Sequence, residues 1–462
     1  MPVKKLHDAA VIGAGISGLC AARSYYHSSG RTSPGLHVFE KSNQVGGASQ
    51  THIKNGYLAE TGPNSLLIKD KRVDQLLNNI GLEDNDILIA ASQSKKRYIA
   101  HNGSPHALPA SIKQFLSSPL FSTKGKLRLC IEPLIRKPEL STEESFAQFV
   151  TRRLGIDILE TAAEPFVNGI YAGDAAKLSV KHAFPQLHKI EQQYGSVFIG
   201  LIAKQLGFNK LPHAHRPSKV LSFRTGMQHL PQAISSTLPK GALKLQTTIL
   251  SIERTNQYWQ IKWSDASGNQ HTESYKKLVL AIPHHQLNTA PLPESLLSTL
   301  SPLSNIQSPP VTSLTLGFKR DQIKHALDGF GMLIKKSEQS PLLGVIFSSS
   351  MFAERAPEGH VTLTCMMGGA IHPEYAENTE DTVLKELDRL LGVNGKPTFS
   401  HRTSWRHAIP QYNIGYQSVE DAISKCETQN AGFHILANYR SGISLSDCII
   451  NGLDLGKKLF TE

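Results

Sequence analysis

The feature that most restricts this chain is a glycine pattern, Gly13-Ala14-Gly15-Ile16-Ser17-Gly18, set between an apolar run (residues 9–12) and an Ala/Leu-rich stretch (residues 16–26). An apolar run that ends in glycine reads as a buried parallel strand, and the stretch after it reads as a helix. Between strand and helix such a pattern is a dinucleotide fingerprint. Gly13 permits the tight turn, Gly15 lets the backbone approach a pyrophosphate, and Gly18 lets helix and strand pack closely. The helix start supplies unpaired N–H groups and the positive end of a dipole. A loop rich in Ser, Gly and Pro (residues 28–35) and an alternating strand (residues 36–40) complete a strand–helix–strand unit. That strand ends at Glu40, where a ribose-binding carboxylate belongs, and an acid there repels the 2′-phosphate of NADP.

The residues beyond Glu40 favour FAD over NAD. Gly46-Gly47 comes six residues after Glu40, and Glu60-Thr61-Gly62-Pro63-Asn64-Ser65 is again built for an unusual backbone path. Residues 433–445 read as a strand, a glycine-containing turn and a helix whose N-terminus can face an electron-rich ring. Each of these alone reads equally as a surface turn or a βα connection.

The remaining chain divides by texture. Residues 72–192 show helical periodicity broken by prolines, with a helix start at Thr142-Glu143-Glu144-Ser145. Residues 243–281 read as strands, residues 291–312 with five prolines as a linker, and residues 313–370 as a separate sheet. The class is therefore α/β. The five cysteines are scattered without a CxxC pair, and the 20 histidines show no metal-ligand spacing, so the sequence predicts no disulfide framework and no metal centre. The net charge of +11 favours anionic partners. No nucleic-acid motif accompanies it. Lysine and arginine cluster at Lys95-Lys96-Arg97 and across Lys124, Lys126, Arg128, Arg136 and Lys137. These clusters read either as a solvated face or as a membrane-surface contact. No apolar run approaches the ~20 residues of a bilayer span, and nothing resembles a signal peptide. The expected location is the cytoplasm, peripheral on the inner face of the cell membrane.

Three further blocks are more specific: Glu164-Pro165-Phe166-Val167-Asn168-Gly169-Ile170-Tyr171-Ala172-Gly173-Asp174 with Lys177-Leu178-Ser179 and Ala183-Phe184-Pro185; Trp405 with Ala408-Ile409-Pro410-Gln411-Tyr412; and Asn438-Tyr439 through Leu445. With the glycine motifs, they make nearly the full chain resemble the protoporphyrinogen oxidase family, within the wider monoamine oxidase and phytoene desaturase group. The resemblance implies six-electron oxidation of protoporphyrinogen IX, with oxygen reoxidising the flavin. It implies FAD contacts at Gly13, Ala14, Gly15, Ile16, Ser17, Gly18, Glu40, Lys41, Gly47, Ala48, Gly62, Pro63, Asn64, Ser65, Ile249, Trp405, Ile443, Ser444 and Leu445. It implies a tetrapyrrole pocket at Gly169, Phe330, Gly331, Leu333 and Met366, with Asn168 beside it. Lys113 stands where many members place a propionate-binding arginine; lysine keeps the charge but loses the bidentate fork. No catalytic acid or base is implied.

The same resemblance implies three domains: a Rossmann-type, glutathione reductase-like FAD domain (residues 1–75, 218–300 and 400–462), a helical membrane-associating domain (76–190), and a mixed-sheet substrate domain (191–217 and 301–399). Its implied partners are porphyrinogen, oxygen, an anionic membrane surface, a ferrochelatase that takes the product, and a second copy in a homodimer. Two alternatives stay open. One is a coproporphyrinogen III oxidase of the same family. The other is a non-enzymatic binder of the GDP dissociation inhibitor type, against which Glu40 and the intact glycine motif argue.

Overall fold

A computed structural model describes residues 6–33, 35–137, 143–205, 219–255 and 257–461. Two seven-stranded sheets organise it. In the first, Leu6–Ile12 lies between Leu36–Phe39 and Gln270–Leu280, all parallel, and Leu243–Lys244 extends the sheet beyond Leu36–Phe39. Gln270–Leu280 is long enough to serve two neighbours on its far side. Residues 278–280 pair in parallel with Phe433–Ile435, while residues 270–275 pair antiparallel with Trp259–Ser264, which in turn pairs with Thr248–Arg254.

One face of this sheet carries Ala9 and Val11 against the helices Ile16–Ser29 and Leu445–Thr461, which contribute Leu19, Ala22 and Ile449 to the same core. The two helices meet backbone to backbone. A Cβ on Gly452 would lie 2.6 Å from the Ser17 carbonyl oxygen, and one on Gly456 would lie 2.3 Å from that of Ala21. Ser24 Oγ donates to Leu453 O at 2.7 Å across the same seam. The other face carries Ala10, Phe39, Leu278 and Leu280 into a core completed by Trp259 and Phe433.

The second sheet runs in the order Phe399–Trp405, Val311–Lys319, His360–Gly368, Leu342–Ile346, Gly331–Ile334, Tyr98–His101, Ser104–Ala107. All its pairs are antiparallel except Gly331–Ile334 with Tyr98–His101. One face packs Leu314, Cys365, Val345 and Met332 onto Val383, Leu387 and Leu390 of the helix Glu380–Leu391. Because side chains alternate between faces, the opposite face carries a different row. Its register aligns Leu333, Gly344, Met366, Ser313 and Thr403 across five strands.

Several segments depart from the sequence reading. Residues 98–107, inside the range 76–190 expected to be helical, form the last two strands at one end of the second sheet, and Ile87–Ile89 joins a three-stranded sheet with Leu66–Ile68 and Lys219–Phe223. Helices resume at Ile112–Ser117 and Thr123–Cys130, and Phe146–Leu154 starts with a capping box between Ser145 and Gln148. Thr142, also assigned to that start, lies outside the described residues. Residues 191–205 continue the helical layer instead of joining the second sheet: the buried Glu132 accepts from Val197 N and is hydrogen bonded to Ser196. Residues 206–217 of that expected substrate segment lie outside the described residues. The proline-rich linker also contains structure. Pro293 precedes the helix Glu294–Thr299, and Leu296, Leu300 and Leu303 are buried beside the first sheet.

Candidate active site

The glycine turn sits at the carboxyl end of the first strand, where ligands of open α/β sheets bind. Gly13 N donates to Phe39 O at 2.8 Å. Its φ of +109° and a virtual Cβ only 2.4 Å from Ala281 O exclude any other residue. A Cβ on Gly18 would lie 2.2 Å from Gly13 O, so the helix rests directly on the turn. Gly15 differs: nothing lies within 4 Å of its virtual Cβ. It caps Ile16–Ser29, and no side chain satisfies that helix start, whereas Asp70, Ser122, Ser145 and Thr379 cap theirs. An open, uncapped helix N-terminus beside glycine is a fitting cradle for a diphosphate.

Glu40 lies at the rim. Its Oε2 accepts from Ala14 N and its Oε1 from Ser42 N, both at 2.9 Å. Each oxygen keeps a further lone pair, so a ribose hydroxyl can be accepted as well. The second glycine pair closes on the first: Gly46 N donates to Ala14 O at 2.9 Å, and a Cβ on Gly47 would lie 3.5 Å from Gly15 Cα. Lys41 and Ala48 are exposed at this edge. Ala48 is tied to the next loop, since a Cβ on Gly62 would lie 2.2 Å from Ala48 O. Trp405 Nε1 donates to Thr61 O at 2.6 Å, bringing the loop that carries Pro63, Asn64 and Ser65 against the strand that ends at Trp405. Ile249 sits half-buried opposite Trp263 in the meander. Ile443 and Ser444 lead into the C-terminal helix that starts at Leu445, with Ser444 Oγ bonded to Asp447.

Contacts also join the three longer blocks. The buried Gln411 donates to Tyr171 O at 2.8 Å, and a Cβ on Gly173 would lie 2.3 Å from Gln411 Oε1. Ser179 N donates to Tyr412 O at 2.8 Å. Tyr412 Oη donates to Asn438 O at 2.9 Å and accepts from Gly442 N at 3.1 Å. The helix Glu164–Tyr171 then lies over the second sheet, with a virtual Cβ on Gly169 only 2.4 Å from Leu333 Cδ2. Leu333 and Met366 flank Gly344 in the aligned row, and a Cβ on Gly344 would lie 2.9 Å from Met332 O and 3.5 Å from Leu333 Cδ2, so the strands pack closely there. Gly331 is buried one step along, with Phe330 half-buried before it and Asn168 half-buried on the helix above. Lys113 stands apart on the exposed helix Ile112–Ser117, and no hydrogen bond or ion pair ties its ammonium to Gly169 or Phe330.

Some groups have environments that the sequence does not disclose. The Arg97 guanidinium lies 5.1 Å over the Phe330 ring. A small cavity is lined by Glu60, Asn64, Ile346, Ser348, Arg355 and Thr364. Glu60 accepts from Thr51 Oγ1 at 2.7 Å and from Met227 N at 2.9 Å, yet burial dominates and pushes its carboxyl up to about 7. Arg355 donates through Nη2 to Ser222 Oγ and Phe223 O, while its buried Nη1 has no partner among the described residues. At the start of the short helix His284–Leu287, burial pushes His284 down to about 4, and repulsion from His285 and His407 adds to the shift. Glu60 and Arg97 stand in stretches marked in the sequence and Arg355 and His284 do not, but no motif announces the environment of any of them, because partners far apart in the chain create it.

The description of the flavin containing amine oxidoreductase family matches residues 16–450. The chain belongs to that family. As a member of the flavin containing amine oxidoreductases it is an FAD-dependent oxidoreductase, and the open cradle at Gly15 fits that cofactor. It is 33% identical to protoporphyrinogen oxidase 2, chloroplastic/mitochondrial, of Arabidopsis thaliana, over 96% of this chain and 92% of that one. It is 27% identical to coproporphyrinogen III oxidase of Bacillus subtilis (strain 168), over 96% and 95% of the two chains. Among solved structures, a candidate protoporphyrinogen oxidase from Exiguobacterium sp. 255-15 superposes with a TM-score of 0.80 at 20% identity, covering 99% of this chain and 100% of the other. At that identity the likeness speaks for the fold.

Proposed function

We propose that this chain oxidises protoporphyrinogen IX to protoporphyrin IX in haem biosynthesis, removing six electrons with oxygen as the acceptor. The observation that carries the reading is the contact of Gln411 with Tyr171 and Gly173, which seats the helix bearing Gly169 over the second sheet. The 33% identity to the Arabidopsis protein of that activity supports the choice of substrate.

Bound FAD supplies the two-electron oxidation itself. The chain holds and orients both partners. The start of Ile16–Ser29, with residues 13–18, takes the diphosphate, and Glu40 takes the ribose. Lys41, Gly47, Ala48, Gly62, Pro63, Asn64, Ser65, Ile249, Trp405 and residues 443–445 line the remainder. The apolar face that carries Leu333 and Met366, beneath Gly169, suits a flat macrocycle, with Phe330, Gly331 and Asn168 at its border. Arg97, over the Phe330 ring, provides a cation for a propionate, a part that Lys113, apart on its exposed helix, would play only if the substrate reached that far. Residues 1–75, 218–300 and 400–462 then form the FAD unit and residues 301–399 with 98–107 the substrate sheet. The helical layer, residues 108–205, rests on an anionic membrane.

Chemically reduced protoporphyrinogen IX and coproporphyrinogen III, each mixed anaerobically with the pure flavoprotein and then exposed to air, separate the readings. Porphyrin fluorescence and peroxide should rise together, faster with protoporphyrinogen. Faster turnover of coproporphyrinogen would assign the chain to the activity of its Bacillus relative. No acceleration over the protein-free control with either would overturn porphyrinogen oxidation.

A further inference from the structure

At the end of the first sheet away from the glycine turn, three strands bring His7, His37 and Glu273 together. One nitrogen from each imidazole and one carboxylate oxygen all lie within 4.8 Å of one another, with both histidines buried and Glu273 half-buried. Among the described residues this is the one group of three or more His, Cys, Asp or Glu that converges so closely. The ladder is adjusted to produce it. Asp8 N and Ala9 N both donate to Gly35 O, at 2.7 and 3.4 Å, and this doubling interrupts the alternation of the first strand. Such bulges re-aim side chains. His7 is thereby turned to the face that holds His37, and the two ring centroids are 4.4 Å apart.

We propose that His7, His37 and Glu273 form a binding site for one divalent transition metal ion of the zinc type. Two imidazoles and a carboxylate are a donor set that Zn²⁺ accepts at about 2.0–2.2 Å, which places neighbouring ligand atoms of a tetrahedron about 3.3 Å apart. His37 Nδ1 and Glu273 Oε2 already stand 3.2 Å apart. The Tyr275 hydroxyl, hydrogen bonded to His37 Nδ1 and to Glu273, holds the two side chains in this geometry while no ion is bound, and an ion would displace it from these atoms. The fourth position is left to water, which enters past the partly exposed Glu273. His7 and Gly13 are six residues apart on one strand, about 20 Å at ~3.3 Å per residue, so the ion clamps the sheet and takes no part in the redox chemistry. The proposal is independent of which substrate the flavin oxidises.

The test uses the flavoprotein without an affinity tag, stripped with chelator and titrated with Co²⁺. One Co²⁺ per chain should bind with intense visible bands that Zn²⁺ abolishes. His37→Gln and Glu273→Gln should each weaken binding by at least about tenfold while flavin content stays at the wild-type level. In case a variant fails to fold, wild-type crystals soaked in zinc should show an anomalous peak between the three side chains. Absence of saturable Co²⁺ binding, equal binding by well-folded variants, or a peak elsewhere would overturn the site.

Discussion

At the residue scale, the three glycines of the first turn have separable roles. Alanine at Gly13 or Gly18 drives a methyl into a carbonyl oxygen 2.4 or 2.2 Å away, so these variants should fail to fold. Alanine at Gly15 meets open space, and its backbone (φ −69°) suits any residue. Gly15→Ala should therefore melt near the wild-type apoprotein temperature but retain little FAD, because its methyl occupies the place of the diphosphate; thermal melts and flavin absorbance read the two effects separately. Two buried groups give opposite pH signatures. Glu60 is held above its ordinary range, so its contribution to stability is complete below about pH 4.5 and falls as pH rises towards 7, on the order of 3 kcal/mol in all. His284 is held below its ordinary range, so its contribution is complete above about pH 6.5 and falls as pH drops towards 4. Melting curves across pH 4–8 should flatten at the upper end in Glu60→Gln and at the lower end in His284→Asn. A wild-type slope that survives both substitutions would reject this account.

Among the elements, the row Leu333, Gly344, Met366 lies on the face proposed for the substrate, and the opposite face is a closed core. Met366→Lys puts a charge on this apolar face, so it should leave flavin content intact and raise KM for the porphyrinogen at least about tenfold; an unchanged KM would remove the substrate from this face. The elements differ in how far the sequence discloses them. Strand, turn, helix and Glu40 are contiguous, so local rules suffice for the cradle. The strands at residues 98–107 hide in a helical stretch because each has only four residues. Their one local mark is Asn102-Gly103, a pair with positive φ at both residues that suits a two-residue hairpin and goes unused in the helical reading. Periodicity has no access to Gln411 against Tyr171, since 240 positions separate them; only the resemblance of whole blocks suggests a common site.

On the scale of the whole molecule, the exposed apolar side chains concentrate. Of eighteen large ones among the described residues, twelve fall between residues 112 and 202, including Ile112, Leu127 and Leu134, near Lys124, Lys126 and Arg136. No described helix is long and apolar enough to cross a membrane, so this surface suits lateral adsorption. Sedimentation with anionic vesicles should bring the protein down at low salt and release it in part at high salt; indifference to such vesicles would refute the adsorption. The seam at Gly452 and Gly456 has a consequence for synthesis. The cradle's own helix is flanked by residues translated more than four hundred codons later. A ribosome-stalled polypeptide halted before residue 445 should thus emerge colourless, and pigment should develop only once the final helix leaves the exit tunnel and locks onto the first.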